Sequence, residues 1–322
     1  MTKPAHSTRE RFLVTGALGC IGAWVVRRLL DEGVGVVVYD LGTSDHRLRL
    51  VLDDGQLERL VRVAGDITSL DQLERTLDGE EITNVVHLAA LQVPFCKEAP
   101  PLGAAVNVVG TVNVFEAVKR RRERMAPVVY ASSAAVYGPA RTAGTAPEET
   151  LEWPGTHYGV YKVANEGNAR VYWADDGVAS IGLRPYVVYG PGRDQGVTSS
   201  PTAAMLAAAR GESFHIPFGG RTQFHYAPDV AAALIAASRS GYEGALVANV
   251  PAPAVEMRDV VAAIEAAAPG AAVGFDDVQL PFPEELQADA LEAAIGPVRV
   301  TPLAEGVRET IEHFRARAAV PA

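Results

Sequence analysis

The chain has 322 residues, 48% hydrophobic and 21% charged, which suffices for a large buried core and for two domains of about 100 to 200 residues each. Its 29 basic and 39 acidic residues give a formal charge of -10, so it lacks the basic footprint of a nucleic-acid binder, and polyanionic or anionic-membrane partners are disfavoured. Small molecules are the expected partners. Only four of the basic residues are lysines, Lys3, Lys97, Lys119 and Lys162.

The start, Met1–Arg11, is polar, and nowhere do 18 apolar residues run uninterrupted. The expectation is a cytoplasmic chain without leader or membrane span. A strand is predicted over Phe12–Thr15 and a helix over Ile21–Glu32, joined by Thr15-Gly16-Ala17-Leu18-Gly19-Cys20-Ile21-Gly22. Glycines at such a turn permit a tight bend and let the backbone approach a pyrophosphate, which then sits over the positive end of the helix. With 30 glycines in the chain, chance supplies about 0.26 such patterns, so the turn takes its meaning from its context. The next strand, Val34–Asp40, ends in a carboxylate that can accept hydrogen bonds from ribose hydroxyls and repel a 2'-phosphate, which favours NAD over NADP. Arg47 and Arg49 could clamp a phosphate, but no Arg directly follows Asp40.

Further apolar runs follow at Val61–Ala64, Val85–Leu88, Val128–Ser132, Ala179–Arg184 and Leu246–Val250, alternating with helical patterns at Ser69–Leu77, Pro101–Arg124 and Tyr158–Asp176. This is the alternation of an α/β, Rossmann-type doubly wound sheet of about seven parallel strands, covered on both faces. After Gly190 come Gly/Pro-rich pieces with short helices at Thr202–Arg210, Ala227–Ser238, Arg258–Ala268 and Leu303–Arg317. The expected division is a cofactor-binding domain over residues 1–188, with 227–250 returning to it, and a smaller substrate lobe from 189–226 and 251–322. Arg120, Arg121, Arg122 and Arg124 close a helix and are expected to face water. Cys20 and Cys96 lack metal-ligand spacing and read as free thiols, with no metal site.

Within Tyr158-Gly159-Val160-Tyr161-Lys162 the first and last residues share a helix face, so the ammonium can lower the phenol's pKa and make Tyr158 a general base. Ten Tyr and four Lys predict roughly 0.12 chance pairs of this spacing. Tyr161, adjacent to Lys162, points elsewhere. Upstream, Val128–Ser132 ends in Ser132-Ser133, which delivers hydroxyls to the carboxyl edge of the sheet, where ligands bind in such folds.

Together these three signals resemble the extended short-chain dehydrogenase/reductase superfamily, specifically its NAD-dependent epimerase/dehydratase branch, over about the first 250 residues. The resemblance implies that Gly16, Gly19 and Gly22, with Cys20 and Ile21, hold the pyrophosphate and that Asp40 holds the ribose. It matches Asp66 and Ile67 to the adenine contact, Leu88, Ala89 and Ala90 after His87 to the strand beside the cofactor, and Asn107 to a structural helix Asn. Tyr186 and Val188, in Leu183–Gly192, match the segment passing the nicotinamide. Ser133 aligns with the catalytic Ser/Thr, Tyr158 with the base, and Lys162 with the lysine that also holds the nicotinamide ribose. The implied reaction is hydride transfer from a substrate carbinol carbon to NAD. Release of the ketone makes a dehydrogenase, and return of the hydride to the other face makes an epimerase. Dehydratases of the branch carry acids after the Ser/Thr, where this chain has Ala134 and Ala135. A regulatory protein keeping only the cofactor fold would tend to lose the Tyr/Lys pair, which is intact here.

Departures from the family pattern bear on the substrate. Val187 replaces the usual Asn, and Thr222 and Gln223 stand where an Arg-Asp pair is usual, with Arg221 displaced by one. The diphosphate-gripping Arg stretch is absent from Asp276–Pro297. The expected substrate is therefore a sugar, sugar acid or polyol without a nucleotide, with a nucleotide-sugar epimerase as the alternative. Gln92, with Phe95 and Cys96, is expected to line the substrate cleft, and Arg193 to meet a substrate carboxylate. His225, Tyr226 and His157 read as packing or loop residues. Family members commonly dimerise through helices corresponding to Pro101–Arg124 and Tyr158–Asp176, which suggests a homodimer.

Overall fold

A computed structural model describes residues 10–139, 145–146 and 153–318; the polar start through residue 9, with Lys3, lies outside the described residues. Seven strands form one parallel sheet: β1 Arg11–Thr15, β2 Gly35–Asp40, β3 Val61–Ala64, β4 Asn84–His87, β5 Val128–Ala131, β6 Ser180–Arg184 and β7 Ala245–Asn249. Their spatial order is β7-β6-β5-β4-β1-β2-β3. The chain winds outward in one direction from β1 and then restarts at β4. The loops leaving the carboxyl ends of β1 and β4 thus diverge and open a crevice. Thr15 and His87, paired across this junction, mark its floor.

The alternation of side chains explains why these strands read as continuous apolar runs. Phe12 and Val14 of β1 face one core with Val36, Val38, Val86, Val129 and Ile181, covered by α1 (Cys20–Asp31) and by the helix Ala227–Arg239. Leu13, Val37, Tyr39, Val85, Val128 and Tyr130 face the other, covered by α2 (Leu70–Gly79), α3 (Gly110–Lys119) and α4 (His157–Asp176). Burying both faces leaves no polar side to pattern the strands. A separate core joins the strands Val187–Tyr189, Phe214–Ile216 and Arg221–Tyr226 to the helices Ser200–Arg210, Met257–Ala267 and Leu303–Ala318.

The predicted helix Pro101–Arg124 is not one uniform rod. It opens as Pro100–Ala104, passes through a π turn at Ala105–Val109, continues as α3 and ends in a 3-10 turn at Arg122–Arg124. The π turn carries an extra residue, and such insertions redirect backbone carbonyls out of the helical ladder. Although Pro100–Lys119 is apolar and 20 residues long, it packs against the sheet with Asn107, Thr111 and Asn113 buried in hydrogen bonds. The arginines after it do not simply face water: Arg120 and Arg121 pair with Glu74, and Arg121 and Arg124 with Asp78, fastening α3 to α2.

Candidate functional site

Gly16 has φ +67, and a Cβ there would lie 2.5 Å from the Ala89 amide. A Cβ on Gly22 would meet the Gly16 carbonyl at 2.5 Å, whereas one on Gly19 would meet only that carbonyl, at 3.1 Å. Gly16 and Gly22 are thus required by the turn itself, and Gly19 keeps the open side free for a ligand. Gly19 caps α1 without a side-chain bond, leaving the amides of Cys20 and Ile21 in the first, uncapped turn, where helix N–H groups lack internal partners. An anion fits there.

Asp40 ends β2, and its two oxygens accept from the Leu18 and Gly42 amides at 3.1 and 3.0 Å, bracing the turn. Arg47 donates to the Leu18 carbonyl and to Asp194, and Arg49 to Asp45, so both are engaged away from a 2'-phosphate. Asp66 accepts from the amide and hydroxyl of Thr68, and the Ile67 carbonyl accepts from Asn113. The open glycine turn, the uncapped helix end and the carboxylate beyond β2 fit an adenine dinucleotide.

At the crevice floor the Thr111 hydroxyl donates to the Asn107 carbonyl and accepts from His87 Nε2, while His87 Nδ1 accepts from Thr15, whose oxygen in turn takes the Leu88 and Ala89 amides. This chain fixes the neutral tautomer with the proton on Nε2. Burial, with the nearby Lys162 charge, pushes His87 down to about 3. Asn107 clamps Leu91 through both amide atoms, and its carbonyl, within the π turn, also accepts from Asn165 at 2.9 Å. Ala90 and Gln92 are half-buried on this ledge. Gln92 reaches Gln195 at 3.5 Å.

Three consecutive residues leaving β5 meet three residues spaced four apart on one face of α4. The Lys162 ammonium donates to the Ala131 carbonyl at 2.5 Å, the Ser132 hydroxyl donates to Glu166, and the Ser133 hydroxyl hydrogen-bonds the Tyr158 phenol. Gly159 permits this approach, since a Cβ there would lie 2.5 Å from the Ala135 carbonyl. Tyr161 turns aside to the Pro100 carbonyl at 2.8 Å, as its adjacency to Lys162 requires. Lys162 is buried, and desolvation lowers it to about 8. Its nitrogen stands 5.4 Å from the centre of the Tyr158 ring.

The electrostatics of Tyr158 differ from the sequence expectation. Burial pushes the phenol up, opposed by the Ser133 hydrogen bond and the Arg193 charge. The lysine's charge is itself weakened by burial. Arg193, whose guanidinium donates to Thr198 at 2.8 Å, thus lies close enough to the phenol to act on it. Tyr186 takes its place through its amide, which donates to His225 Nδ1 at 3.0 Å, and its ring meets Phe282 edge-on. His225 Nε2 donates to the Val250 carbonyl, and burial holds the imidazole at about 4, so it is a packing residue. Val188 is buried. Cys20 and Cys96 are free, and burial raises both thiols.

Sequence reasoning missed Glu166 and Arg184, and named the Ser132 hydroxyl without its buried partner Glu166. Glu166 is fully buried, as is Arg184, which grips it with two nitrogens. A Glu four residues beyond Lys162, on the face that must meet the sheet, was the available signal.

A model described as the NAD dependent epimerase/dehydratase family matches residues 12–250. UDP-glucuronate 4-epimerase 2 of Arabidopsis thaliana is 35% identical over 187 residues, covering 56% of this chain and 42% of that enzyme. This chain therefore matches under half the length of that relative. The structure of the Thermus thermophilus UDP-glucose 4-epimerase in complex with NAD is similar at a TM-score of 0.79 and 28% identity, covering 96% of this chain and 100% of that one. L-threonine dehydrogenase from Clostridium difficile shares the fold, with a TM-score of 0.83 at 19% identity over 96% of this chain and 98% of that one.

Proposed function

The chain belongs to the NAD-dependent epimerase/dehydratase family of enzymes, with NAD as cofactor, and from that premise we propose that it oxidises a secondary hydroxyl of a sugar, sugar acid or polyol to a ketone. The observation that carries the reading is the meeting of Ser133, Tyr158 and Lys162 at the carboxyl end of β5. NAD supplies the hydride acceptor. The residues that would hold it are Gly16, Gly19, Cys20, Ile21 and Gly22 at the pyrophosphate, Asp40 at the ribose, Asp66 and Ile67 at the adenine, and Leu88, Ala89, Ala90, Asn107, Tyr186 and Val188 along the crevice.

The substrate hydroxyl donates its hydrogen bond to the Tyr158 oxygen while Ser133 holds the same substrate oxygen. As the carbinol C–H bond breaks with its electron pair, the O–H proton passes to Tyr158 and the C=O bond forms. A neutral phenol cannot take this proton, so Tyr158 must react as phenolate. The Ser133 hydrogen bond and the Arg193 charge favour that form against burial. Gln92 and Arg193 would contact the rest of the substrate, Arg193 at a carboxylate. Residues 189–226 and 251–322 would form the substrate lobe over the domain built by 1–188 and 227–250.

The lobe supports a substrate without a nucleotide. Arg221 is paired with Glu285 at 2.9 Å, Thr222 is buried, and Gln223 donates to the Ala252 and Leu286 carbonyls. These contacts leave no free cation on this strand for a diphosphate. The likeness to a UDP-glucuronate 4-epimerase favours a second reading, an epimerase that returns the hydride to the opposite face of the ketone. Incubation with NAD and a panel of sugars, sugar acids and polyols, followed at 340 nm, tests the first reading. Steady NADH supports it, and isomerised substrate without net NADH moves the assignment to the second. Tight binding of UDP alone in isothermal titration would overturn the nucleotide-free substrate. A Tyr158→Phe variant that keeps full turnover would remove the proposed base, whose loss should cost about 10²- to 10⁴-fold.

A homodimer is part of this proposal. Leu102 and Val109 before α3, and Val160, Val171 and Trp173 on α4, are exposed apolar side chains on neighbouring helices, and light scattering coupled to gel filtration reads the mass directly.

A further inference from the structure

The turn Pro191–Asp194 lies against the amino end of α1, the end suited to a pyrophosphate. The Trp24 indole donates to the Pro191 carbonyl at 2.9 Å, and the ideal Cβ position on Gly192 is 3.8 Å from the Cys20 Cα and from the Arg47 Cβ. Beyond it, Asp194 is gripped from the far side of the glycine turn. Arg47 Nη2 and Nε donate to Asp194 Oδ1 at 2.7 and 3.0 Å, and His46 Nε2 reaches Oδ2 at 2.9 Å. Arg47 Nη1 also donates to the Leu18 carbonyl within the turn, and only 13% of the Arg47 side chain is exposed. The helix His46–Val51 follows the strand that ends in Asp40, and Asp194 follows the strand Val187–Tyr189. The ion pair therefore ties the segment after the strand that ends in Asp40 to the segment after Val187–Tyr189, with the Leu18 carbonyl of the glycine turn as a third point of attachment.

We propose that Asp194 is a positioning residue that, by holding Arg47, keeps the Pro191–Asp194 turn closed over the glycine turn and sets the residence time of NAD. An isolated surface pair would contribute little. This one is forked, partly shielded and tied at Leu18, and fork geometry fixes orientation as well as energy. The inference rests on NAD as cofactor and is independent of whether the ketone is released or reduced again.

The test needs no substrate. Etheno-NAD bound to the protein is chased with excess NAD in stopped flow, and the dissociation rate is read from its fluorescence. Asp194→Asn and Arg47→Gln should each raise that rate about tenfold. The NAD-free proteins should melt within about 2 °C of wild type, since Asp194 is 44% exposed. The charge-exchanged double variant, Arg47→Asp with Asp194→Arg, should return the rate to within about threefold of wild type. High salt should accelerate release from wild type but not from Asp194→Asn. Rates within about twofold of wild type in both single variants would overturn the proposal. So would a rise that the charge-exchanged variant fails to reverse, because the pair would then not be its cause.

Discussion

Arg184 forks onto Glu166 beneath the site: Nε donates to Oε1 at 2.8 Å and Nη2 to Oε2 at 2.6 Å, with both side chains out of water. The same carboxylate accepts from Ser132, the neighbour of Ser133, and lies one helical turn beyond Lys162. On its other side Arg184 donates to the Tyr137 hydroxyl at 2.6 Å, which donates to Asn249, whose amide reaches the Gln287 carbonyl. One buried polar chain thus ties the end of β5, the helix α4 and residue 287 together.

Breaking this pair from one side leaves a buried charge without its counterion, a change that typically costs about 3 to 5 kcal/mol. Arg184→Met should destabilise the protein by that order in urea unfolding. Pairing it with Glu166→Leu should recover a large part of the loss, because two apolar side chains carry no desolvation penalty. A double variant less stable than Arg184→Met alone would contradict this account.

The acid limb of stability should report His87. Its native pKa, about 3, lies below the ordinary value of 6.5, so between those values the unfolded chain binds a proton that the native state refuses. Stability must then fall as pH drops from about 6.5 toward 3, by several kcal/mol for a shift of this size. His87→Gln removes the titration and should flatten that limb relative to wild type, whatever it does to stability at pH 7. A parallel pH dependence in the two proteins would show that His87 does not set it.

As the proposed ribose ligand, Asp40 should carry the coenzyme preference. With its oxygens on the Leu18 and Gly42 amides, it braces the glycine turn and presents a negative charge where a 2'-phosphate would arrive. Asp40→Ser should weaken NAD binding by about tenfold and narrow the gap to NADP, both read by tryptophan quenching. An unchanged ratio of the two affinities would place discrimination elsewhere.

The sequence makes the cofactor side of this site more legible than the network beneath it, and the reason is physical. The glycine turn, Asp40 and the Tyr158/Lys162 pair are local patterns, set within one turn or one helix face, and all fall where the sheet topology needs them. The pairing of Ala131, Ser132 and Ser133 with Lys162, Glu166 and Tyr158 joins segments about 30 residues apart in sequence. Glu166 and Arg184 read as ordinary charges until both are seen buried against each other. The break in the predicted helix Pro101–Arg124 escaped for a related reason: the apolar sequence pattern continues through the π turn, and nothing local marks the change of spacing. The phenol of Tyr158 was misjudged because pairing was weighed and burial was not.

Gly159 offers the sharpest test of the register between β5 and α4. On helix propensity alone, Gly159→Ala should stabilise α4 by roughly 1 kcal/mol. The position is not free, however, because the new Cβ would stand 2.5 Å from the Ala135 carbonyl and 2.7 Å from the Pro154 Cβ. Neither neighbour is the end of a flexible side chain, so the helix must move away from the Ser133 segment, and such overpacking costs about 1 to 3 kcal/mol. The clash outweighs the propensity gain, and the expected net effect is a loss of stability of about 1 kcal/mol in urea unfolding. The displacement acts on Tyr158, the residue before Gly159, relative to Ser133, so the rate at saturating substrate should fall by more than the substrate affinity, because positioning errors of even 1 Å can cost about 10²-fold in rate. NAD affinity should stay near wild type, since the glycine turn is untouched. A more stable Gly159→Ala protein with full turnover would show that the close approach of α4 to the end of β5 is not what holds the tyrosine and serine together.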